Sequence, residues 1–355
     1  MEQLLPEPRI DHLARLSDDI GIFEHASGLE PRRELGYTTE DAARALIVTV
    51  RWQPQTEMTM ALTRTYLAFV AGSIVEGGPI RNRMTTAGEW VGPPSADAHG
   101  RTIWGLCVAA AESAANETVE AALSCLERIG VVDDPSIRPW VYTGIGVAEL
   151  LSALPGHGWA RLIANQVLGR LPGPSGSGWI WPEPRLTYDN ARLTQCLLDL
   201  GRVLDHPEAM EDGLRLLGWL VTLERNGDHF SFTPVGGRGP EDTSPAFDQQ
   251  PLEASAMADA CVAAWEVDGD ERWLELAYQA AQWFTGRNDG AVSLYDPQTG
   301  AGHDGLTEGG VNANAGAEST ISALAALQRG RLIEPHRASG WKKTMPVETL
   351  PAARA

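Results

Sequence analysis

The stretch GYTTEDAARALIVTV (residues 36–50) joins a cluster of polar side chains directly to an alanine- and leucine-rich segment with helical periodicity. Five further segments share this design: DAHGRTIWGLCVAAAES (97–113), RPWVYTGIGVAELLSAL (138–154), TYDNARLTQCLLDLGRV (187–203), FDQQPLEASAMADACVAAWEV (247–267) and NANAGAESTISALAALQRG (312–330). The chain has almost no alternating pattern of the kind that indicates strands. The repeated design therefore predicts six similar helices, each with a polar start.

Amphipathic segments with more charged residues lie between these six, as is typical of surface helices. They span residues 56–73, 116–129, 158–170, 207–224 and 270–286, and a short segment at 8–17 supplies a sixth. Six inner and six outer helices predict an all-α fold, an (α/α)6 toroid; a right-handed α-solenoid is the main alternative. We expect one domain over residues 1–330 and an irregular tail over 331–355.

The composition of the 355-residue chain narrows the classes of partner. The formal net charge of −19 argues against nucleic acid and anionic membranes, which bind clustered Lys and Arg. The N-terminus lacks the pattern of a signal peptide, and no apolar run is long enough to cross a bilayer. The four cysteines lie in helical stretches without metal or redox spacing, which indicates buried free thiols. We expect a cytoplasmic monomer or homodimer.

The predicted architecture brings the six polar starts together. If the inner helices are parallel, their N-termini open onto one face of the toroid and form a shared polar pocket. Carboxylates, amides, arginines and tyrosines without a phosphate-binding loop are typical of a carbohydrate site. The candidate substrate-binding residues are Tyr37, Glu40, Asp97, Arg101, Tyr142, Tyr188, Asp189, Arg192, Asp248, Gln249, Gln250, Asn314 and Glu318, with Trp90 as a stacking side chain from a loop.

Two acids in this set are the candidate catalytic pair. Asp41 begins the first inner helix and Glu253 begins the fifth, so the sixth helix separates them. Next-nearest axes in such a ring stand about 17 Å apart, which leaves the two carboxyls roughly 8–10 Å apart. That separation is closer to the inverting than to the retaining range. Two structural roles stay open: Glu253 completing a helix cap, and Asp41 interacting with its helix dipole.

The sequence does not predict a cofactor or a metal. His99 and His303 have no partner at metal-ligand spacing, and the acids of residues 295–306 lack the spacing of a calcium loop. A histidine pair at the pocket would favour an epimerase, whereas the inner-helix segments contain only His99.

Several motifs resemble those of a known family of (α/α)6-toroid glycosidase-like proteins, commonly found with glycosyltransferases and mannoside phosphorylases. The similarity runs from about residue 18 to 328 and is carried by GYTTEDAARAL, RPWVYTGIGVAELL, LTYDNARLTQCLL, FDQQPLEASAMADAC, WFTGRNDGAVSLYDPQTGAGHDGL and VNANAGAESTISAL. The resemblance implies catalytic acids at Asp41 and Glu253. Many relatives read TTDDNARA, whereas Ala42 and Ala43 follow Asp41 here, so an asparagine contact is missing.

Within that family, the chain resembles mycobacterial endo-α-1,4-mannanases that cut 3-O-methylmannose polysaccharides. The resemblance therefore implies an inverting endo-α-1,4-mannosidase, in which Glu253 is the general acid and Asp41 the base, or the reverse. Methylated sugars would also favour a pocket with one apolar side. The alternatives are an exo-acting or glucan-specific glycosidase, and a catalytically silent glycan-binding partner of a glycosyltransferase.

Overall fold

The computed structural model describes residues 4–130 and 134–338 of the chain. The helices in these residues are α1 (Asp11–Arg15), α2 (Thr39–Val50), α3 (Glu57–Ser73), α4 (Ala96–Glu112), α5 (Asn116–Leu126), α6 (Ile137–Ala153), α7 (Gly158–Leu168), α8 (Ala191–Leu204), α9 (Pro207–Leu223), α10 (Pro251–Asp268), α11 (Arg272–Gln282) and α12 (Ala317–Ala338). The six polar starts of the sequence thus lie at or just before the even-numbered helices.

The even-numbered helices form a closed inner ring. Each contacts the next one along the chain, and α12 contacts α2, which joins the two ends. Helices α3, α5, α7, α9 and α11 each pack on the inner helix that precedes them, and the short α1 packs on α12. The predicted (α/α)6 toroid is confirmed, and the α-solenoid is excluded because a solenoid leaves its terminal helices apart.

Glycines allow three inner helices to approach closely. A Cβ at Gly105 of α4 would lie 2.8 Å from the carbonyl oxygen of Ala43 of α2. A Cβ at Gly146 of α6 would lie 2.6 Å from the Cα of Trp104 of α4. Because the opposing atoms are backbone, a side chain at either position would force the helices apart. The spacing of α2, α4 and α6 therefore depends on these glycines.

The short strands of the described residues lie in connections that lead into inner helices, at the end of the ring where those helices begin. They are β1 (Ala26–Ser27), β2 (Glu30–Pro31), β3 (Tyr37–Thr38), β4 (Arg83–Met84), β5 (Trp90–Val91), β6 (Arg225–Asn226), β7 (His229–Phe230), β8 (Tyr295–Asp296), β9 (Ala301–Gly302), β10 (Leu306–Thr307) and β11 (Gly310–Val311). All pairings are antiparallel, and only β3, β4 and β5 form a three-stranded sheet among the described strands.

The C-terminal boundary differs from the expectation. Helix α12 continues past residue 331 to Ala338, so the segment expected to be irregular begins as helix. Ile333 is buried, and the carboxylate of Glu334 accepts a hydrogen bond from the backbone N–H of Leu5 at 3.2 Å. These contacts with the start of the chain explain why the helix extends. Residues 339–355 lie outside the described residues.

The four cysteines are free and buried, as the sequence indicates. Within the described ranges, no helix is both long and apolar enough to span a bilayer.

Helix α8 turns a polar face to the ring axis. Helix α8 carries Arg192, Gln195, Asp199 and Arg202 at helical spacing, and all four line a cavity along the axis, which we call the axial cavity. Core packing alone would select apolar residues at such positions.

Asp199 gives this face a pH dependence. Burial, together with the nearby carboxyls of Glu149 and Glu266, raises the pKa of Asp199 to about 8 against the opposing effects of Arg202 and Gln195. Between the ordinary pKa and this value the folded chain holds a proton that the unfolded chain has lost, so stability falls as pH rises. Asp199→Asn removes this loss. We therefore expect the free energy of unfolding of the variant, measured relative to that of wild type, to rise by about 2–4 kcal/mol from pH 5 to pH 8.5. Denaturant unfolding of both proteins at the two pH values measures this rise. A stability difference between variant and wild type that is the same at both pH values would refute the raised pKa of Asp199.

Candidate functional site

A cavity of about 420 Å³, which we call the basin, opens where the inner helices begin. Its lining combines acids, two guanidiniums, a tyrosine and an amide with apolar groups: Glu40, Asp97, Arg101, Arg185, Leu186, Thr187, Tyr188, Val235, Gly236, Gly237, Gln250, Leu252 and Glu318. Six of the residues selected from the sequence are among them, namely Glu40, Asp97, Arg101, Tyr188, Gln250 and Glu318. The helix starts thus converge on one polar pocket.

Helix capping places the acids of α2, α4 and α10. The hydroxyl of Thr38 accepts a hydrogen bond from the backbone N–H of Asp41 at 3.3 Å, and Ser95 caps α4 in the same way. Pro251 occupies the first position of α10, where its missing N–H costs nothing. Each carboxylate that follows lies in a first helical turn, near the positive end of the helix.

Arg101 connects four inner-helix segments. Its Nη2 donates to the hydroxyl of Tyr142 at 2.9 Å and to the carboxylate of Asp189 at 3.1 Å, and its Nη1 lies 3.7 Å from Glu40 Oε2. The Tyr142 hydroxyl also donates to Asp189, at 2.8 Å. Tyr142 and Asp189 are buried beneath the basin, so they hold Arg101 in place from below.

Asp97 and Tyr188 are in direct contact in the basin lining. The Tyr188 hydroxyl donates to Asp97 Oδ2 at 2.7 Å. Burial raises the pKa of Asp97, while Arg101 and this hydrogen bond oppose the rise. Arg138 fixes the loop that carries Tyr188, because its guanidinium donates to the Tyr188 carbonyl at 2.8 Å and to Glu183 at 2.9 Å.

Asp41 lies behind the basin wall and is linked to it by Arg44. The Arg44 guanidinium donates to Asp41 Oδ1 at 2.5 Å and to Glu318 Oε2 at 2.8 Å. The second oxygen of Asp41 accepts from Thr38 at 2.6 Å. Burial raises the pKa of Asp41, with Arg44 and Thr38 opposing it. At Glu318, Arg44 and Arg101 together outweigh burial and lower the pKa.

Glu253 is buried against the start of α8. Its Oε1 accepts from the backbone N–H of Asp189, and its Oε2 accepts from the backbone N–H of Asn190 at 3.1 Å. Asp189 has φ of 53°, a left-handed conformation that aspartate tolerates and that directs these groups at Glu253. Burial raises the pKa of Glu253 well above its ordinary value, and the carboxyls of Glu224 and Asp189 raise it further against the two N–H groups.

Other residues selected from the sequence lie away from the basin lining. Arg192 lines the axial cavity and donates to Asp259 at 2.7 Å. The hydroxyl of Tyr37 donates to Asp18 at 2.7 Å, and Trp90 packs on Phe69. These two aromatic side chains support loops beside the basin.

The FDQQPLE segment divides its polar side chains among three environments. Gln249 is fully buried, and its amide donates to Asp289 at 2.7 Å and accepts from the backbone N–H of Phe232 at 3.2 Å. Asp248 is exposed, and only Gln250 lines the basin. Asn314 accepts from the backbone N–H of Gly28 at 3.0 Å and holds a loop.

Arg44, Glu224 and Val235 lie in or near the candidate site but were not selected from the sequence. Arg44 stands one helical turn after Asp41, a spacing that indicates an ion pair. Glu224 lies beside Glu253 although it ends a distant helix, and burial raises its pKa to about 7. Val235, 64% exposed, comes from a loop with no distinguishing motif. Only Arg44 had a local signal. No group of three or more His, Cys, Asp or Glu side chains suited to a metal ion occurs in the ranges that the structure describes.

No family model matches the chain, and no curated protein matches it in sequence. Solved structures do resemble it. A sugar epimerase from a ruminal bacterium has a TM-score of 0.68 at 12% identity, with 91% of this chain and 95% of that chain covered. A D-mannose isomerase has a TM-score of 0.64 at 10% identity, with coverages of 91% and 95%. The GH76 alpha-mannanase of Bacteroides thetaiotaomicron has a TM-score of 0.61 at 13% identity, with coverages of 92% and 95%. At these identities the likeness shows a shared fold.

Proposed function

We propose that the chain is a glycoside hydrolase, an inverting endo-α-1,4-mannosidase that acts on mannose oligosaccharides, including 3-O-methylated ones. The observation that carries this proposal is the convergence of carboxyl groups from α2, α4 and α12 on one basin, with Asp41 and Glu253 directly behind its wall. Glycoside cleavage requires one carboxylic acid and one carboxylate on opposite sides of the scissile bond. Mannoside-processing enzymes among the structural neighbours are consistent with it.

Asp41 and Glu253 are the proposed reacting groups. Both are buried and neither lines the basin, so the proposal requires the wall between them and the basin to move when substrate binds. Glu253 donates its proton to the glycosidic oxygen as the bond from that oxygen to C1 breaks. Asp41 takes a proton from a water molecule whose oxygen forms the new bond to C1 from the opposite face. The raised pKa of Glu253 is of the direction that a general acid requires. Helix α12 separates α2 from α10, as the inverting distance assumes.

The basin has an apolar side that suits methylated sugars. Leu186, Val235 and Leu252 contribute aliphatic surface to its lining. A methyl ether removes a hydroxyl donor and adds apolar surface, so a wall of aliphatic groups favours it over an unmodified sugar. This supports the methylmannose specificity within the proposed class.

Epimerase chemistry has less support from the residues at hand. Proton transfer at carbon near neutral pH is commonly performed by histidine. No histidine lines the basin in the described part of the chain, and His99 is buried with its ring 3.0 Å from the Gly130 carbonyl oxygen. The carboxylate-rich lining favours hydrolysis.

The decisive experiment is product analysis with α-1,4-linked mannooligosaccharides, with and without 3-O-methyl groups. We expect new reducing ends, products of intermediate length that indicate internal cleavage, and a first-formed β-anomer in the proton NMR spectrum. Release of single sugars would indicate exo action, and cleavage of maltooligosaccharides alone a glucan-specific enzyme. Binding without any new reducing end would leave the glycan-binding alternative.

A further inference from the structure

The axial cavity is a second compartment of the toroid, with a volume of about 1130 Å³. All six inner helices contribute to its lining. It opens on the face opposite the basin, at the C-terminal ends of inner helices, where the lining residues Gln53, Gly269 and Leu332 are exposed. The toroid therefore has a mouth at each end.

One layer of ion pairs separates the two compartments. Arg44 lines the axial cavity and Glu318 lines the basin, and their side chains are 2.8 Å apart. Asp189 lines the axial cavity and Arg101 lines the basin, and they are 3.1 Å apart. Each pair thus has one member on either side, and Leu252 lines both cavities, so the compartments are back to back with a thin wall between them.

The lining of the axial cavity is not that of a packing defect. Protein interiors are close-packed, and empty cavities are apolar. Here Arg192 and Arg329 both bond to the buried carboxylate of Asp259, each at 2.7 Å. Ser255 and Ser322 are also buried while lining the cavity. Because burying ions and hydroxyls costs stability, apolar residues would be expected if the space served only the fold.

The charge balance of the lining selects the class of ligand. Six arginines and seven carboxylic acids line the cavity among the described residues. Since burial raises the pKa of Asp199 to about 8, that carboxyl is neutral at pH 7, and the remaining charges balance. A strongly charged ligand would meet no net opposite charge. Trp52, Trp104 and Trp265 add aromatic surface beside the paired charges. Fixed hydrogen-bonding groups with aromatic walls suit a neutral molecule rich in hydroxyls.

We propose that the axial cavity is a second binding site, for a neutral oligosaccharide that enters from the face opposite the basin. Its volume lies slightly above the range of about 300–1,000 Å³ typical of small-ligand pockets, which is enough for several sugar rings. The site is separate from the basin, and its ligand does not have to be the substrate.

The test measures binding stoichiometry by calorimetry, with α-1,4-mannotriose and maltotriose as probes in a full-length Glu253→Gln background that does not consume them. We expect two equivalents of at least one trisaccharide. Val262→Phe, which fills the axial cavity from α10, is expected to remove one equivalent. Tyr188→Ala is expected to weaken the other, by removing a basin wall. Leu162→Phe, on the exposed face of α7, is the matched control and should keep both equivalents.

If Val262→Phe does not fold, Ser322→Leu blocks the same cavity from α12, and a trisaccharide-soaked crystal locates the sugar directly. The proposal would be overturned if the protein binds only one equivalent of trisaccharide and Tyr188→Ala abolishes that binding. It would also be overturned if neither probe binds. Failure of the proposed function has a different signature, because reducing-end assays report cleavage at the basin. Two bound equivalents without cleavage by the wild type would overturn the hydrolase and leave this site standing.

Discussion

Glu253→Gln is expected to lower kcat about 1000-fold on mannooligosaccharides, within the 10²–10⁴-fold range of general acid catalysis. Glutamine keeps the shape of the side chain and one acceptor for the backbone N–H groups of Asp189 and Asn190, but it has no proton to give. Because the sugar contacts lie in the basin, the affinity for substrate should change only a few-fold. Reducing-end assays give the rate, and calorimetry gives the affinity.

A substrate with a good leaving group identifies Glu253 as the acid. An aryl glycoside of a mannooligosaccharide needs little protonation, so we expect the variant to recover most of its rate on it. Glu120→Gln, an exposed position on α5, is the matched control and should behave as wild type. A Glu253→Gln enzyme that cleaves natural substrates at the wild-type rate would rule out this role. An equal loss on both substrates, with a lowered melting temperature, would indicate that Glu253 only holds α8.

Asp41→Asn is also expected to lower kcat about 1000-fold, but without recovery on the aryl glycoside, because its carboxylate acts on water and not on the leaving group. Asparagine can still contact Thr38 and Arg44, and Arg44 keeps its ion pair with Glu318. The fold should therefore persist. Steady-state kinetics on both substrates, alongside circular dichroism, separate this outcome from unfolding.

Rescue by azide would identify Asp41 as the catalytic base. Azide attacks C1 without losing a proton, so it needs no base, and we expect it to restore turnover of Asp41→Asn and form a β-mannosyl azide. Glu40→Gln tests the neighbouring acid, which lines the basin and contacts Arg101. If that variant shows the full loss with azide rescue while Asp41→Asn stays active, the base is Glu40. Asp19→Asn, at an exposed position, is the control for the substitution itself.

The fold was predictable because its signal is local. Each inner helix is indicated by a polar start and helical periodicity, and six such helices along the chain are enough to predict a ring. The extension of α12 beyond residue 331 was not predictable, because it depends on contacts with Leu5 at the other end of the chain.

The candidate site was predictable only in part, and the FDQQPLE segment shows why. Its nearness to a helix start places the segment at the basin. Gln249, however, is bridged to both Pro234 and Leu306 in an extended conformation, in which neighbouring side chains point to opposite sides. Gln250 therefore reaches the basin while Gln249 turns into the core. Partners that lie far along the chain decide that direction, and no local pattern specifies them.

The closure of the ring by α12 has a consequence for the synthesis of the protein. Asp41 is among the earliest residues of the site to leave the ribosome, but Arg44 beside it binds Glu318, which is synthesised near the end. A nascent chain therefore contains the first half of the basin long before it has the wall that completes it. The Arg44–Glu318 ion pair, and with it the complete lining of the basin, is present only when synthesis is almost finished.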